Sequence, residues 1–103
     1  MLNLNDLAEQ SLAIAKQRGL NTDTVSTLKH CAGEVVEATE AFVHEQMASN
    51  GYSAEQYKVA FASELADIII CVLTASAKEG IDIEKAVNEA MMKNAQRAYG
   101  GQA

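Results

Sequence analysis

The segment from Val59 to Ala77 constrains the fold more than any other part of this 103-residue chain. Its apolar residues do not alternate with a period of two, and on a helix they surround almost the whole circumference. A helix of this kind is normally central in a bundle, because it leaves no face for water. The remaining chain supplies three shorter helices, which would struggle to cover it. We therefore expect other copies of the chain to cover it, in a homodimer or a homotetramer.

Start and stop signals predict four helices. Asn5 is the expected N-cap of the first helix, and a capping box from Ser53 to Gln56 opens the third. Gly19, Asn50-Gly51 and Gly80 are expected to end the first three helices. The predicted helices are 5–18, 23 or 24 to about 49, 53–79, and 82–99. The sequence thus predicts one all-α domain over residues 1–103, a four-helix bundle-like domain with a central antiparallel helical hairpin.

Composition excludes several classes of partner. The net charge is −6 and no Lys/Arg cluster occurs, which argues against binding to the phosphate backbone of nucleic acids. The N-terminus does not resemble a signal peptide, and the longest apolar run, Ile68 to Ala77, is too short to span a bilayer. Cys31 and Cys71 lie within apolar helical patterns and are expected to be reduced core residues. We therefore expect a cytoplasmic protein with no membrane partner.

Two pairs of acidic residues share one spacing. Glu64 and Asp67 are three residues apart on one face of the third helix, and Glu34 and Glu37 repeat this spacing on the second. Both cross-pairs, Glu37 with Glu64 and Glu34 with Asp67, are centred on the Asn50-Gly51 connection. Folding the hairpin there predicts four carboxylates at one level. A pairing that uses Glu40 in place of Glu34 is centred near residue 52 and fits less well, which leaves Glu40 as a supporting or solvated acid.

Four carboxylates this close repel one another unless cations lie among them. Oxygen ligands suit hard cations, so the pattern predicts Mg²⁺ first and Mn²⁺ second, with a chance alignment of charged helix edges as the alternative. A di-iron site would need a Glu-x-x-His pair on each of two helices. His30 and His44 do not follow this pattern, and both are interpreted as surface or helix-edge residues.

Several stretches together resemble the MazG-like, all-α nucleoside triphosphate pyrophosphohydrolases. "GEVVEATEAF" from residue 33 is similar to the first motif of that family and "ELADIII" from residue 64 to its second. "KNAQRAYG" from residue 93 resembles the terminal stretch, and "AKQRGL" from residue 15 weakly resembles the end of its first helix. The resemblance implies that Glu34, Glu37, Glu64 and Asp67 bind Mg²⁺ and that Lys93, Asn94 and Arg97 contact the triphosphate.

The sequence also departs from the family pattern. Ala90 stands where the family often has a lysine, and Lys93 is a possible substitute. The chain has no tryptophan to hold a nucleobase. Tyr52, Tyr57 and Phe42 are possible replacements, although each fits a core or loop position better. The base preference therefore cannot be carried over from the resemblance.

The resemblance implies an enzyme that cleaves nucleoside triphosphates, in particular deoxynucleotides, to monophosphate and pyrophosphate, in housecleaning of the nucleotide pool. Glu37 or Glu40 would accept a proton from the attacking water, and Lys93 and Arg97 would stabilise the leaving pyrophosphate. If the fourth helix packs antiparallel to the third, Arg97 returns toward residue 64. Two alternatives remain open: a phosphoribosyl-ATP pyrophosphohydrolase-like enzyme, and a non-catalytic helical interaction protein with an ion site. Lys93 and Arg97 could also be a solvated basic end that favours the helix dipole.

Overall fold

Four α-helices make up the computed structural model, which describes residues 3–47 and 54–100 and, within these ranges, all side chains except those of 44–47, 54, 55, 57 and 100. The helices are α1 (Leu4–Gln17), α2 (Thr24–Met47), α3 (Ala54–Lys78) and α4 (Ile83–Gly100). The described ranges contain no strand, so the predicted all-α class with four helices is confirmed.

The first helix begins earlier than its predicted N-cap. Asn3 is the N-cap, and its Oδ1 accepts a hydrogen bond from the backbone N–H of Asp6 at 2.8 Å. The prediction of Asn5 as the cap was therefore wrong, because Asn5 is engaged elsewhere in the fold. Gly19 ends α1 as predicted, with a φ of 72° that favours glycine.

The connection between α3 and α4 follows the sequence signals. Gly80 adopts a φ of 67° after the last turn of α3. Asp82 then caps α4, since its Oδ1 accepts a hydrogen bond from the backbone N–H of Lys85 at 3.1 Å. The predicted capping box at Ser53, the Asn50-Gly51 connection and Tyr52 lie outside the described residues, as do the side chains of Tyr57 and His44.

α2 and α3 form the predicted antiparallel pair. The rings of Phe42 and Phe61 pack with centroids 5.2 Å apart and planes tilted by 49°. Val35 and Ile68 lie further along the same groove. Residue numbers therefore fall on α2 as they rise on α3, which is the order that an antiparallel hairpin requires.

The core lies where α1 and α2 both pack on the C-terminal part of α3. Ala8 of α1 and four consecutive residues of α3 are buried: Leu73, Thr74, Ala75 and Ser76. The two buried hydroxyl groups each donate to the backbone carbonyl four residues earlier, at 2.8 Å. Their polar atoms are therefore satisfied without breaking the helix.

α4 occupies a different place from the one predicted. Among the described residues it packs on α1, and no comparable contact joins it to α3. Its start is fixed by Asn5, whose Nδ2 donates to Asp82 Oδ1 at 2.8 Å and whose Oδ1 accepts from the backbone N–H of Glu84 at 3.2 Å. The prediction that α4 packs on α3 and returns Arg97 toward residue 64 is wrong for the single chain.

The single chain exposes an unusually large surface. Its accessible area is 7788 Å², whereas a compact monomer of this mass exposes roughly 5,600 Å². The radius of gyration is 16.7 Å, against about 13 Å for a compact domain of 100 residues. Large apolar side chains on all four helices are exposed, among them Ile14, Val36, Val59 and Met91. Exposed apolar surface of this extent is typical of a site of interaction.

By length and composition alone, one described segment, Lys58–Lys78, is long and apolar enough to cross a membrane. The sequence analysis considered only the run from Ile68 to Ala77, and the apolar segment of this helix is longer than that run. A charged side chain at the centre of a bilayer costs at least about 2.5–3.5 kcal/mol, and Asp67 lies near the middle of the segment. This cost disfavours a position of the helix in the hydrocarbon core of a bilayer.

Candidate metal centre

Three acidic side chains meet between α2 and α3. Glu34 of α2 and Glu64 and Asp67 of α3 each offer one carboxylate oxygen, and these oxygens lie within 4.8 Å of one another. Glu34 and Glu64 are half-buried and Asp67 is exposed. We call these three residues the carboxylate cluster.

The charges of the carboxylate cluster are only weakly compensated. His30 Nε2 lies 3.3 Å from Glu34 Oε1, but the His30 side chain is 69% exposed and counts as a cation only when protonated. Within the described part of the chain, no Lys or Arg side chain forms an ion pair with Glu64 or Asp67. Three carboxylates held together without a fixed cation form a site that favours a bound metal ion.

The donor set fits a hard divalent cation. With metal–oxygen bonds of about 2.0–2.1 Å, two oxygens on opposite sides of Mg²⁺ are roughly 4.2 Å apart. The observed limit of 4.8 Å is close to this separation, so a small rotation of the side chains brings the three oxygens to ligand distance. Glu34, Glu64 and Asp67 could therefore hold Mg²⁺ or Mn²⁺, with water or substrate oxygens in the other positions.

The other two acids predicted for the site point elsewhere. Ala38 is 4% exposed and marks the centre of the α2 face that packs on α3. On an ideal helix, Glu34 lies about 40° from this centre, Glu37 about 100° and Glu40 about 160°. Glu37 and Glu40 are both exposed, and neither belongs to the carboxylate cluster. Glu37 lies beside the cluster, whereas Glu40 lies nearly on the opposite side of α2.

Within one chain, the predicted phosphate-binding residues and the carboxylate cluster lie on helices that do not pack on each other in the described part of the structure. Lys93, Asn94 and Arg97 are exposed on α4, and α4 packs on α1. The single chain therefore brings three of the predicted ligands together and does not bring the three α4 residues to them.

Two cysteines flank the carboxylate cluster. Cys31 and Cys71 are free and half-buried, rather than fully buried in the core. Burial raises the pKa of the Cys71 thiol, and the charges of Cys31, Glu34 and Asp67 act in the same direction. The Cys71 thiol is therefore protonated near neutral pH when no metal ion is bound, and the three carboxylates are the groups that suit a hard cation. The sequence analysis assigned both cysteines to the core, although Cys31 lies three residues before Glu34 and Cys71 four after Asp67.

An open apolar groove runs along the α2–α3 pair beside the carboxylate cluster. It has a volume of about 440 Å³ and is lined by Val35, Ala38, Thr39, Phe42, Phe61, Leu65 and Ile68. Phe42, one of the aromatic residues considered for holding a base, lies in this groove and contacts Phe61. Since Thr39 is the one polar residue of the lining, the groove offers little with which to distinguish one base from another.

The chain matches the model of a known protein family. The model of the MazG nucleotide pyrophosphohydrolase domain matches residues 22–99, which include the carboxylate cluster and the three α4 residues. No curated protein and no solved structure gives a significant match.

Proposed function

The chain belongs to the family of MazG nucleotide pyrophosphohydrolase domains, and we propose that it hydrolyses deoxynucleoside triphosphates to nucleoside monophosphate and pyrophosphate. Membership of this family makes the chain a pyrophosphohydrolase in general terms and suggests a soluble enzyme. The substrate class, a role in clearing the nucleotide pool and a cytoplasmic location are the further parts of the proposal. The observation that carries it is the carboxylate cluster, which lies inside the matched region.

The proposed cofactor is Mg²⁺, with Mn²⁺ as a substitute. The family generally uses a divalent metal, and Glu34, Glu64 and Asp67 are the residues that would hold it. When bound, such an ion neutralises the polyphosphate and lowers the pKa of a water molecule that acts as the nucleophile. The three side chains would hold such an ion between α2 and α3, because their carboxylate oxygens converge there.

Glu37 is the proposed general base. An acid that is a full metal ligand cannot also accept a proton easily, so the base is expected beside the ligands rather than among them. Glu37 lies on the same helix as Glu34, one turn further along, and outside the carboxylate cluster. Glu40 is the weaker candidate for this role, since it lies on the far side of α2.

Lys93, Asn94 and Arg97 are proposed to contact the triphosphate. Cationic and amide donors stabilise the charge that develops on the leaving pyrophosphate. These three residues lie within four positions on one exposed helix, so they could contact neighbouring phosphate groups of one substrate.

The test is product analysis with each nucleoside triphosphate in its ribo and deoxy forms. We expect Mg²⁺-dependent release of monophosphate and pyrophosphate from at least one deoxynucleotide, activity lost in EDTA and restored by Mg²⁺ or Mn²⁺, and much slower turnover of the diphosphate. Separation of the products by ion exchange distinguishes this reaction from stepwise loss of phosphate.

The same assay separates the alternatives. Orthophosphate and nucleoside diphosphate as first products would overturn the proposed mechanism. Phosphoribosyl-ATP is added to the panel as a further substrate, and turnover of this compound alone would move the substrate assignment to that reaction. Binding of Mg²⁺ with no turnover of any nucleotide would instead favour a helical interaction protein with an ion site.

A further inference from the structure

We infer that Cys31 and Cys71 form a site of reversible oxidation, in which a disulfide between them joins α2 to α3 beside the carboxylate cluster and strengthens the binding of a divalent cation there. The disulfide itself rests on the positions of the two thiols. Its effect on the cation rests in addition on the proposed function, which assigns Mg²⁺ to the cluster.

The two cysteines lie at the same level of the α2–α3 pair. The contact between the rings of Phe42 and Phe61 sets the register of these antiparallel helices. From that contact, Cys31 lies eleven residues back along α2, and Cys71 lies ten residues further along α3. With a rise of about 1.5 Å per residue, the two cysteines are therefore offset by roughly 1.5 Å along the helix axes.

Both cysteines also lie on the sides of α2 and α3 that face each other. On an ideal helix, Cys31 is about 20° from Ala38, the centre of the α2 face that packs on α3, and is closer to that centre than Glu34 is. Cys71 follows Glu64 by seven residues, which places it two turns on and about 20° around the axis. It therefore shares the side of α3 that brings Glu64 to the carboxylate cluster.

Helices that face each other in this way meet the distance requirement of a disulfide. Axes about 8–10 Å apart place facing Cα atoms roughly 3.5–5.5 Å apart, since each Cα lies about 2.3 Å from its axis. The small angular offsets of the two cysteines lengthen this distance slightly. The Cα atoms of a disulfide are about 4.4–6.8 Å apart, so the bond can form without a large movement of either helix.

The thiols are close to each other and open to a small oxidant. Both are free and half-buried. After burial, the charge of Cys31 is the largest of the causes that raise the pKa of the Cys71 thiol. An effect of this kind weakens with distance, so it agrees with the register in placing the two sulfur atoms near each other.

The oxidant that this reaction requires is a low-molecular-weight disulfide, such as glutathione disulfide. The thiolate of one cysteine attacks a sulfur of the oxidant, forms a mixed disulfide and releases one glutathione thiolate. The thiolate of the other cysteine then attacks the sulfur of the first and releases the second glutathione thiolate. In total, each cysteine loses one proton and one electron, and the oxidant is reduced to two molecules of glutathione.

The bond would lie one helical turn from the carboxylate cluster. Cys31 precedes Glu34 by three residues and Cys71 follows Asp67 by four, so each cysteine is next to a ligand on its own helix. Without a cation, the three carboxylates repel one another and favour separation of α2 from α3 at this level. A covalent bond one turn away opposes that separation and so lowers the cost of gathering the ligands around an ion. By reciprocity, a bound cation makes the disulfide harder to reduce.

A redox titration of the folded and the unfolded chain tests the site. The protein is equilibrated with mixtures of reduced and oxidised glutathione, its free thiols are alkylated, and peptide mapping locates the bond. We expect a disulfide between Cys31 and Cys71 of one chain, formed at a glutathione ratio at least about ten-fold less oxidising in buffer than in urea, because the fold holds the thiols at a high effective concentration. Cys31→Ser and Cys71→Ser should each give only the mixed disulfide with glutathione. Equal formation in urea, or disulfides only between chains, would overturn the inference.

Calorimetric titration with Mg²⁺ tests the effect on the cluster without any nucleotide. The oxidised wild type should bind Mg²⁺ at least about five-fold more tightly than the reduced wild type. The double variant Cys31→Ser, Cys71→Ser is the control, and treatment with the same oxidant should leave its affinity unchanged. Equal or weaker binding by the oxidised wild type, or no binding by either form, would overturn the inference. A protein that shows the disulfide and the tighter binding but hydrolyses no nucleotide would refute the proposed function and leave the inference established.

Discussion

At the scale of the residue, a substitution of Asp67 tests metal binding with less effect on folding than a substitution of Glu34 or Glu64, because Asp67 is exposed and the other two are half-buried. We expect Asp67→Asn to keep the helix content of the wild type and to lower kcat/KM by at least about 100-fold, or roughly 3 kcal/mol of transition-state stabilisation. The measurement is steady-state kinetics together with circular dichroism.

Metal binding can be measured as the rise in thermal stability of the protein when Mg²⁺ is added. Mg²⁺ at 100 times its Kd should stabilise the wild-type fold by about 2.7 kcal/mol, and the same addition should leave Asp67→Asn unchanged. Glu9→Gln, which neutralises an exposed acid on α1, is the matched control and should respond to Mg²⁺ as the wild type does. An equal rise in Tm for Asp67→Asn would show that Asp67 is not a ligand.

Asp82 offers a prediction about pH. The hydrogen bond from Asn5 is the largest of the interactions that hold the pKa of Asp82 below its usual value, followed by the hydrogen bond from the backbone N–H of Lys85. A carboxyl group whose pKa is lower in the folded state stabilises the fold above its unfolded pKa, and the contribution is lost as the pH falls through the folded pKa. The junction of α1 and α4 should therefore weaken in acid.

The cause can be tested by NMR titration of the Asp82 carboxyl group. Asn5→Ala should raise its pKa toward the usual value, since the variant removes the largest contribution. Lys85→Met is the control: it removes only the smaller charge effect and keeps the backbone donor, so it should raise the pKa less. A larger effect from Lys85→Met would contradict the assignment.

At the scale of the element, two glycines should respond in opposite directions to the same substitution. Gly80 has a φ of 67°, where an added Cβ is strained, so Gly80→Ala should lower the free energy of unfolding by about 1–2 kcal/mol. Gly33 lies inside α2, and a Cβ added there would meet no atom within 4 Å. Gly33→Ala should therefore raise the free energy of unfolding by about 0.5–1 kcal/mol. Urea denaturation measures both, and a change of the same sign would contradict the argument.

The helices and the carboxylate cluster were predictable because they depend on local spacing and on the symmetry of one hairpin. Glu34 and Asp67 meet because a short connection sets the register of two antiparallel helices. The orientation of Glu37 was not predictable from spacing, because it depends on which residues of α2 pack against α3. The burial of Ala38 turns Glu37 away from the cluster.

The position of α4 could not be read from the sequence for a different reason. It depends on hydrogen bonds between the first turns of α1 and α4, which are far apart in the chain. Asn5 was the predicted cap of α1, but in the fold Asn3 caps the helix while Asn5 binds Asp82 and Glu84.

At the scale of the whole molecule, we expect light scattering at micromolar concentration to show a dimer or a tetramer. Ile69→Glu places a charge on the face of α3 that carries the exposed side chains of Val59 and Ile69, and it should shift the protein toward the monomer, because burying an unpaired carboxylate is costly. Leu20→Glu is the matched control at another exposed apolar residue, 49% exposed and away from that face, and should stay assembled. A monomeric wild type would contradict the expectation.

The hydrogen bond from Asn5 to Asp82 joins residues 77 positions apart, and this separation has a kinetic consequence. Contacts between distant residues require the entropy of a large loop to be lost before they form, whereas the α2–α3 hairpin closes a short one. We expect the hairpin to form early and α4 to reach its place at the N-terminal end of α1 late. During synthesis, α4 leaves the ribosome after α1, α2 and α3, so its contact with α1 can form only after both helices of the hairpin have been made.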